Sequence, residues 1–114
     1  PSNLPTGDRH GKYWIPAECD VPQRPGWFYH ANQDHQVKTP NQLFDIYLKS
    51  VGRGANMNLG LAPMPEGVLH PNDVKSLAYF GRKVKETFSH NLTKDAVATS
   101  SSLRQSRIRV RKLI

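Results

Sequence analysis

The sequence predicts an α/β fold built on a parallel sheet. Two segments with a helical apolar stripe alternate with two short strand-like segments, and each helix has only one apolar face to cover. Length sets the scale. A complete (β/α)8 barrel takes about 250 residues, or roughly 31 per unit. Residues 13–90 therefore hold two to three βα units, an arc of such a barrel rather than a closed ring.

Taken in order, residues 1–12 are polar and carry Pro1, Pro5, Gly7 and Gly11, the composition of a loop. Residues 13–17 are short and apolar, and are predicted to form a strand that delivers Glu18 at its end. Residues 19–38 read as a long irregular loop, a feature that is usually functional in a small domain. Thr39-Pro40 opens the first helix. Thr39 suits the N-cap, and Pro40 suits the first helical position because its missing N–H had no partner there. Leu43, Phe44, Tyr47, Leu48 and Val51 share one face, and Gly52 and Gly54 stop the helix. In residues 55–62, Met57, Leu59 and Leu61 alternate with Asn56, Asn58 and Gly60, which is the period of a strand. Pro71 opens the second helix with Asp73 in its first turn. Val74, Leu77, Ala78, Gly81, Val84 and Phe88 form its apolar face.

Composition excludes several classes of function. The net charge is +7, but Arg104, Arg107, Arg109, Arg111 and Lys112 all fall in the final segment. Without these five the body carries only about +2, so no nucleic-acid partner is expected. No apolar run approaches the ~20 residues of a membrane span. Cys19 is the only cysteine, which excludes an intrachain disulfide and reads as a buried small hydrophobe. Oligomeric state is not encoded legibly.

Residues 13–30 concentrate the chemistry. They hold both tryptophans (Trp14 and Trp27), Tyr13 and Tyr29, with Glu18, Asp20, Arg24 and His30 among them, and three prolines forbid a continuous helix. Aromatic faces beside carboxylates and an imidazole are what a sugar site needs. The C–H faces of a pyranose lie on rings, and its hydroxyls bond to fixed donors and acceptors. Glu18 is the carboxylate best placed for chemistry, as an acid/base, as a hydroxyl acceptor, or bound up in an ion pair with Arg24 or a lysine. Trp27 and Trp14 are stacking surfaces or core aromatics. Tyr29 and His30 bond substrate or orient the loop. Phe28 is expected in the core, and Asp20 and Arg24 are expected to pair and fix the loop to itself. His30, Asp34 and His35 do not match a zinc spacing, so no metal site is expected. Residues 50–54 are glycine-rich without the spacing of a phosphate cradle. Asn91-Leu92-Thr93 is an N-glycosylation sequon, which suggests a secreted or lysosomal route.

The segment GKYWIPAECDVPQRPGWFYH, followed by LFDIYLKSVGRGANMNLGLAPMPEGVL, resembles the closing third of the catalytic domain of α-L-fucosidases, glycoside hydrolase family 29. It is most similar to the branch that prefers α-1,3/1,4-linked fucose. The resemblance implies that residues 1–90 are a C-terminal fragment of the catalytic barrel, its closing arc. Residues 91–114 would be a linker with a basic tail, similar at first to the start of the β-sandwich that follows the barrel in many members. The strand after Ser50-Val51-Gly52 departs from the family's more apolar pattern, and residues 106–114 match nothing in it.

The resemblance implies a retaining glycosidase that removes α-linked L-fucose from glycans with no cofactor. Such enzymes place two carboxyls about 5–5.5 Å apart. It also implies that the nucleophilic aspartate lies upstream of this segment, so the isolated chain would not hydrolyse fucosides. It makes Trp27 the ring that faces fucose, and Glu18 more a site wall than the catalyst. Two other functions fit the residues: a non-catalytic carbohydrate-binding or interaction protein, and a polyanion binder driven by the tail.

Overall fold

The computed structural model describes residues 7–8, 10–97 and 99. Its elements are β1 (Glu18–Pro22), α1 (Pro40–Ser50), β2 (Asn56–Gly60) and α2 (Pro71–Thr87), with 3-10 turns at Ala31–Gln33 and Val51–Arg53. β1 and β2 pair in parallel, with Glu18 opposite Asn56 and Pro22 opposite Gly60. Parallel neighbours require a crossover, and α1 supplies it. The expected parallel α/β arrangement is therefore present as two successive βα units. Of the stretch from residue 91 likened to the linker and the sandwich start, residues 91–97 and 99 are described, with a turn at 92–95, and the rest, with the basic tail, lies outside the described residues.

The first strand is displaced from its expected position. Residues 13–17 form no strand, and β1 begins at Glu18. Pro16 has no N–H to offer a ladder, and the first rung is Asn56 N–H donating to the Ala17 carbonyl at 2.8 Å. Glu18 therefore opens the strand instead of ending it.

Each strand has two faces. Val21 is buried, and Met57 and Leu59 face an apolar groove lined also by Tyr47, Val51, Phe80 and Val84 of the helical layer. By alternation Glu18 and Asp20 on β1, and Asn56, Asn58 and Gly60 on β2, share the opposite face. Leu43 is fully buried, and Tyr47 joins the two helices, with its ring 6.0 Å from those of Phe80 and Phe88 and 6.4 Å from Phe44. Val74, expected on the core side of α2, is 49% exposed.

Both helices start as expected. Thr39 and Gln42 form a reciprocal capping box, with Gln42 N–H donating to Thr39 Oγ1 and Thr39 N–H donating to Gln42 Oε1. α1 ends through the 3-10 turn on Gly54, whose φ of +85° suits glycine. α2 is capped by His70, whose Nδ1 accepts from Asn72 N–H at 3.1 Å. None of the described helices is long and apolar enough to cross a membrane.

Candidate functional site

The loop after β1 is organised by Arg24. Its guanidinium is fully buried and grips Asp73 of α2 with two bonds, Nε to Oδ2 and Nη2 to Oδ1, both 2.8 Å. Nη2 also donates to Asp34 Oδ1 at 2.9 Å, and Nη1 to the His30 carbonyl at 3.3 Å. The planar fork of Arg suits such a two-point bond to a carboxylate. Hydrogen bonding to Asp73 is the main cause that holds the guanidinium's pKa above its ordinary value, against the opposing effect of burial.

This corrects the expected Asp20–Arg24 pair, because the carboxylates that hold Arg24 are Asp73 and Asp34. Asp20 accepts instead from Asn58 Nδ2 at 2.9 Å, across the strand pair. His30 and Asp34 meet Arg24 from its own loop and Asp73 from α2, which ties the loop to the first turn of α2. Gln23 adds to the tie, donating from Nε2 to the Asp73 carbonyl at 2.9 Å. Lys38 closes the loop by donating from Nζ to the Pro22 carbonyl at 2.7 Å.

Tyr29 belongs to this anchor. Arg24 lies over its ring at 4.6 Å, and its hydroxyl donates to Asp34 Oδ2 at 3.4 Å. Burial, aided by the Asp34 charge, raises the phenol's pKa above its usual value. Asp34 Oδ2 also meets His70 Nε2 at 3.3 Å. His30 contributes its carbonyl, and the residue is exposed. Among the described residues no group of three or more His, Cys, Asp or Glu side chains is placed to hold a metal.

With its root fixed, the loop lays Trp27 over the end of the sheet. A Cβ on Gly60 would lie 2.9 Å from Trp27 Cζ3 and 3.0 Å from Cε3, so the indole occupies the space that only glycine leaves. Gly60 belongs to the strand face that carries Asn56, Asn58, Glu18 and Asp20. Trp27 thus sits at the C-terminal edge of that polar face with 55% of its surface exposed. The neighbouring Phe28 is 78% exposed, contrary to the expected core position, and Trp14, on the segment entering β1, is 80% exposed.

Of the expected site residues, Glu18 and Trp27 share a sheet face, at opposite ends. Pro22 lies four positions after Glu18, which is about 13 Å along the strand. Tyr29 and His30 join the Arg24 anchor, and Trp14 stands apart from it. Sequence reasoning missed Asp73 and Gly60. The carboxylate in the first turn of α2 gave no sign of a partner so far back in the chain.

Comparison with known proteins gives this geometry a context. The sequence profile of the α-L-fucosidase family matches residues 6–87. The chain is 43% identical over 104 residues to alpha-L-fucosidase 1 of Arabidopsis thaliana, a match that spans 91% of this chain and 20% of that relative. Among solved structures, a glycoside hydrolase family 29 fucosidase of Ruminococcus gnavus in complex with fucose is 32% identical, with a TM-score of 0.66 over 77% of this chain and 17% of its own. A family 29 member from an unknown rumen bacterium is 36% identical, with a TM-score of 0.68 over 84% of this chain and 17% of its own. The chain therefore spans about one fifth of the curated relative it matches, and its sequence and fold agree on one assignment: it belongs to the α-L-fucosidase family, glycoside hydrolase family 29.

Proposed function

We propose that the chain is the closing arc of the catalytic barrel of a retaining α-L-fucosidase, of the branch acting on α-1,3/1,4-linked fucose, and that it forms one wall of the fucose pocket. The substrate is a fucosylated glycan. The observation that carries this reading is the seat of Trp27 on Gly60, which holds an exposed indole beside a polar strand face. One face of a deoxysugar with its methyl group is apolar and suits the indole, while its hydroxyls face polar groups. Glu18 adds a carboxylate to the far end of the same face. Trp14, exposed on the segment that enters β1, is a second aromatic surface, and Tyr29 and His30 lie in the loop that carries Trp27.

The second carboxyl of a retaining pair must lie about 5–5.5 Å from the first. Asp20 is the nearest carboxylate to Glu18 on the shared face, and Asn58 holds one of its oxygens. The nucleophile is assigned to a strand upstream of β1. The test is turnover of an aryl α-L-fucoside by this chain and by a longer form that includes the upstream strands. The expected result is turnover by the longer form alone. Turnover by the 114-residue chain would place both carboxyls inside it, and no turnover by either would overturn the fucosidase reading.

Asn91 supports a secretory or lysosomal route. The residue is exposed, and its Oδ1 accepts from Thr93 N–H at 2.9 Å and from Thr93 Oγ1 at 2.8 Å, a turn that presents the sequon at the surface. Loss of gel mobility shift after endoglycosidase treatment of the native protein, and its absence in Asn91→Gln, would check this assignment.

A further inference from the structure

Among the carboxylates around the Trp27 loop, most of the acceptor capacity is already used. Asp73 holds Arg24 with both oxygens, and Asp34 meets Arg24, Tyr29 and His70. Asp20 differs. It is exposed, and among the described residues its bond is the one it accepts from Asn58 Nδ2. That bond fixes the two side chains side by side, since Asp20 and Asn58 are opposite each other in the parallel register. Asp20 Oδ2 and Asn58 Oδ1 remain as acceptors, and the second N–H of the Asn58 amide remains as a donor.

Position gives the pair its meaning. Asn58 and Gly60 are separated by one residue along β2, about 6.6 Å, and they project to the same face. Trp27 covers Gly60 on that face. An aromatic plate and a carboxylate–amide pair therefore stand about one pyranose apart, and the described helices lie on the other side of the sheet.

We infer that Asp20 and Asn58 are the hydroxyl-binding partners of the Trp27 surface, so that this end of the sheet receives one uncharged sugar ring, its apolar side on the indole and a vicinal diol on the carboxylate–amide pair. Two acceptors and one donor held side by side match adjacent hydroxyls, each of which donates and accepts. This inference rests on the fucose reading of the same face. It adds Asp20 and Asn58, where the earlier reading relied on Glu18 and the aromatic residues.

The test is titration of the 114-residue chain with methyl α-L-fucoside, followed by the indole N–H resonance of Trp27 in two-dimensional NMR and assigned with Trp14→Phe. Asn58→Ala and Asp20→Ala are each expected to weaken binding by about tenfold or more, in line with the loss of one or two hydrogen bonds to a charged or polar group. Asp20→Asn keeps the shape of the side chain and is expected to weaken binding less. It decides the matter if the alanine variants lose their dispersed spectra. A Trp27 response that keeps wild-type affinity in Asp20→Asn and in Asn58→Ala would overturn the inference and leave the fucose reading standing. A Trp27 resonance unmoved by the fucoside in the unaltered chain would overturn both.

Discussion

Arg24 holds a full charge at 0% exposure, a placement that costs several kcal/mol unless the charge is paired and its N–H groups are bonded. Asp73, Asp34 and the His30 carbonyl meet that need. Asp73→Ala would leave the guanidinium buried with its two best acceptors gone. It should lower the unfolding free energy by about 3–5 kcal/mol, read from urea denaturation. Arg24→Lys should also destabilise, because a point-like ammonium cannot span the fork that Asp73 presents. Gly60→Ala acts at the other contact of the loop. Its new methyl would sit 2.9–3.0 Å from the Trp27 ring, so the indole must leave its seat. With Trp14→Phe in place, the emission of Trp27 should shift to longer wavelength while the far-UV circular dichroism is retained.

Tyr29 sets a pH limit at the same scale. Its pKa is raised in the folded chain, so the folded state holds the phenolic proton more tightly than the unfolded state does. Its contribution is complete below the unfolded phenol's pKa, about 10, and is lost as pH rises through the higher folded value. Stability should therefore fall above about pH 10. Tyr29→Phe should flatten that part of the profile in thermal melts taken across pH 9–11.

At the scale of elements, the helices and β2 were legible because local chemistry specified them. Thr39-Pro40 and Pro71 name their starts, and the stripe from Leu43 to Tyr47 names the buried side of α1. Thr39→Ala removes the capping box and should destabilise by about 1 kcal/mol. Gly54→Ala, at φ +85°, should add a penalty of about 1–2 kcal/mol from left-handed strain. β1 was legible only in its existence. The apolar run of Tyr13, Trp14 and Ile15 imitates a strand, but pairing begins where Asn56 can reach the Ala17 carbonyl, past Pro16. That shift moved Glu18 from the end of the strand to its start. It also took Asp20 out of the loop and set it beside Asn58. The Arg24–Asp73 pair was illegible because it joins residues 49 apart, and nothing local in either segment names the other.

At the level of the whole molecule, the two faces of the sheet differ. Among the described residues, one face of the two-stranded sheet is covered by helices and the other is open, polar and edged by Trp27. In the sequence, the aromatic concentration in residues 13–30 points to a sugar site. The fold divided that run into parts with different tasks: Arg24 and Tyr29 anchor, Trp27 faces outward, and Asp20 turns to the strand face. On the proposed function, this open face is a wall of the fucose pocket. The most direct measurement is a crystal structure of a longer form, including the upstream strands, with L-fucose bound. The sugar is expected within van der Waals contact of the Trp27 ring on the side of Asp20 and Asn58. A fucose bound elsewhere, with Trp27 packed against protein and the Asp20–Asn58 face filled by side chains, would contradict it.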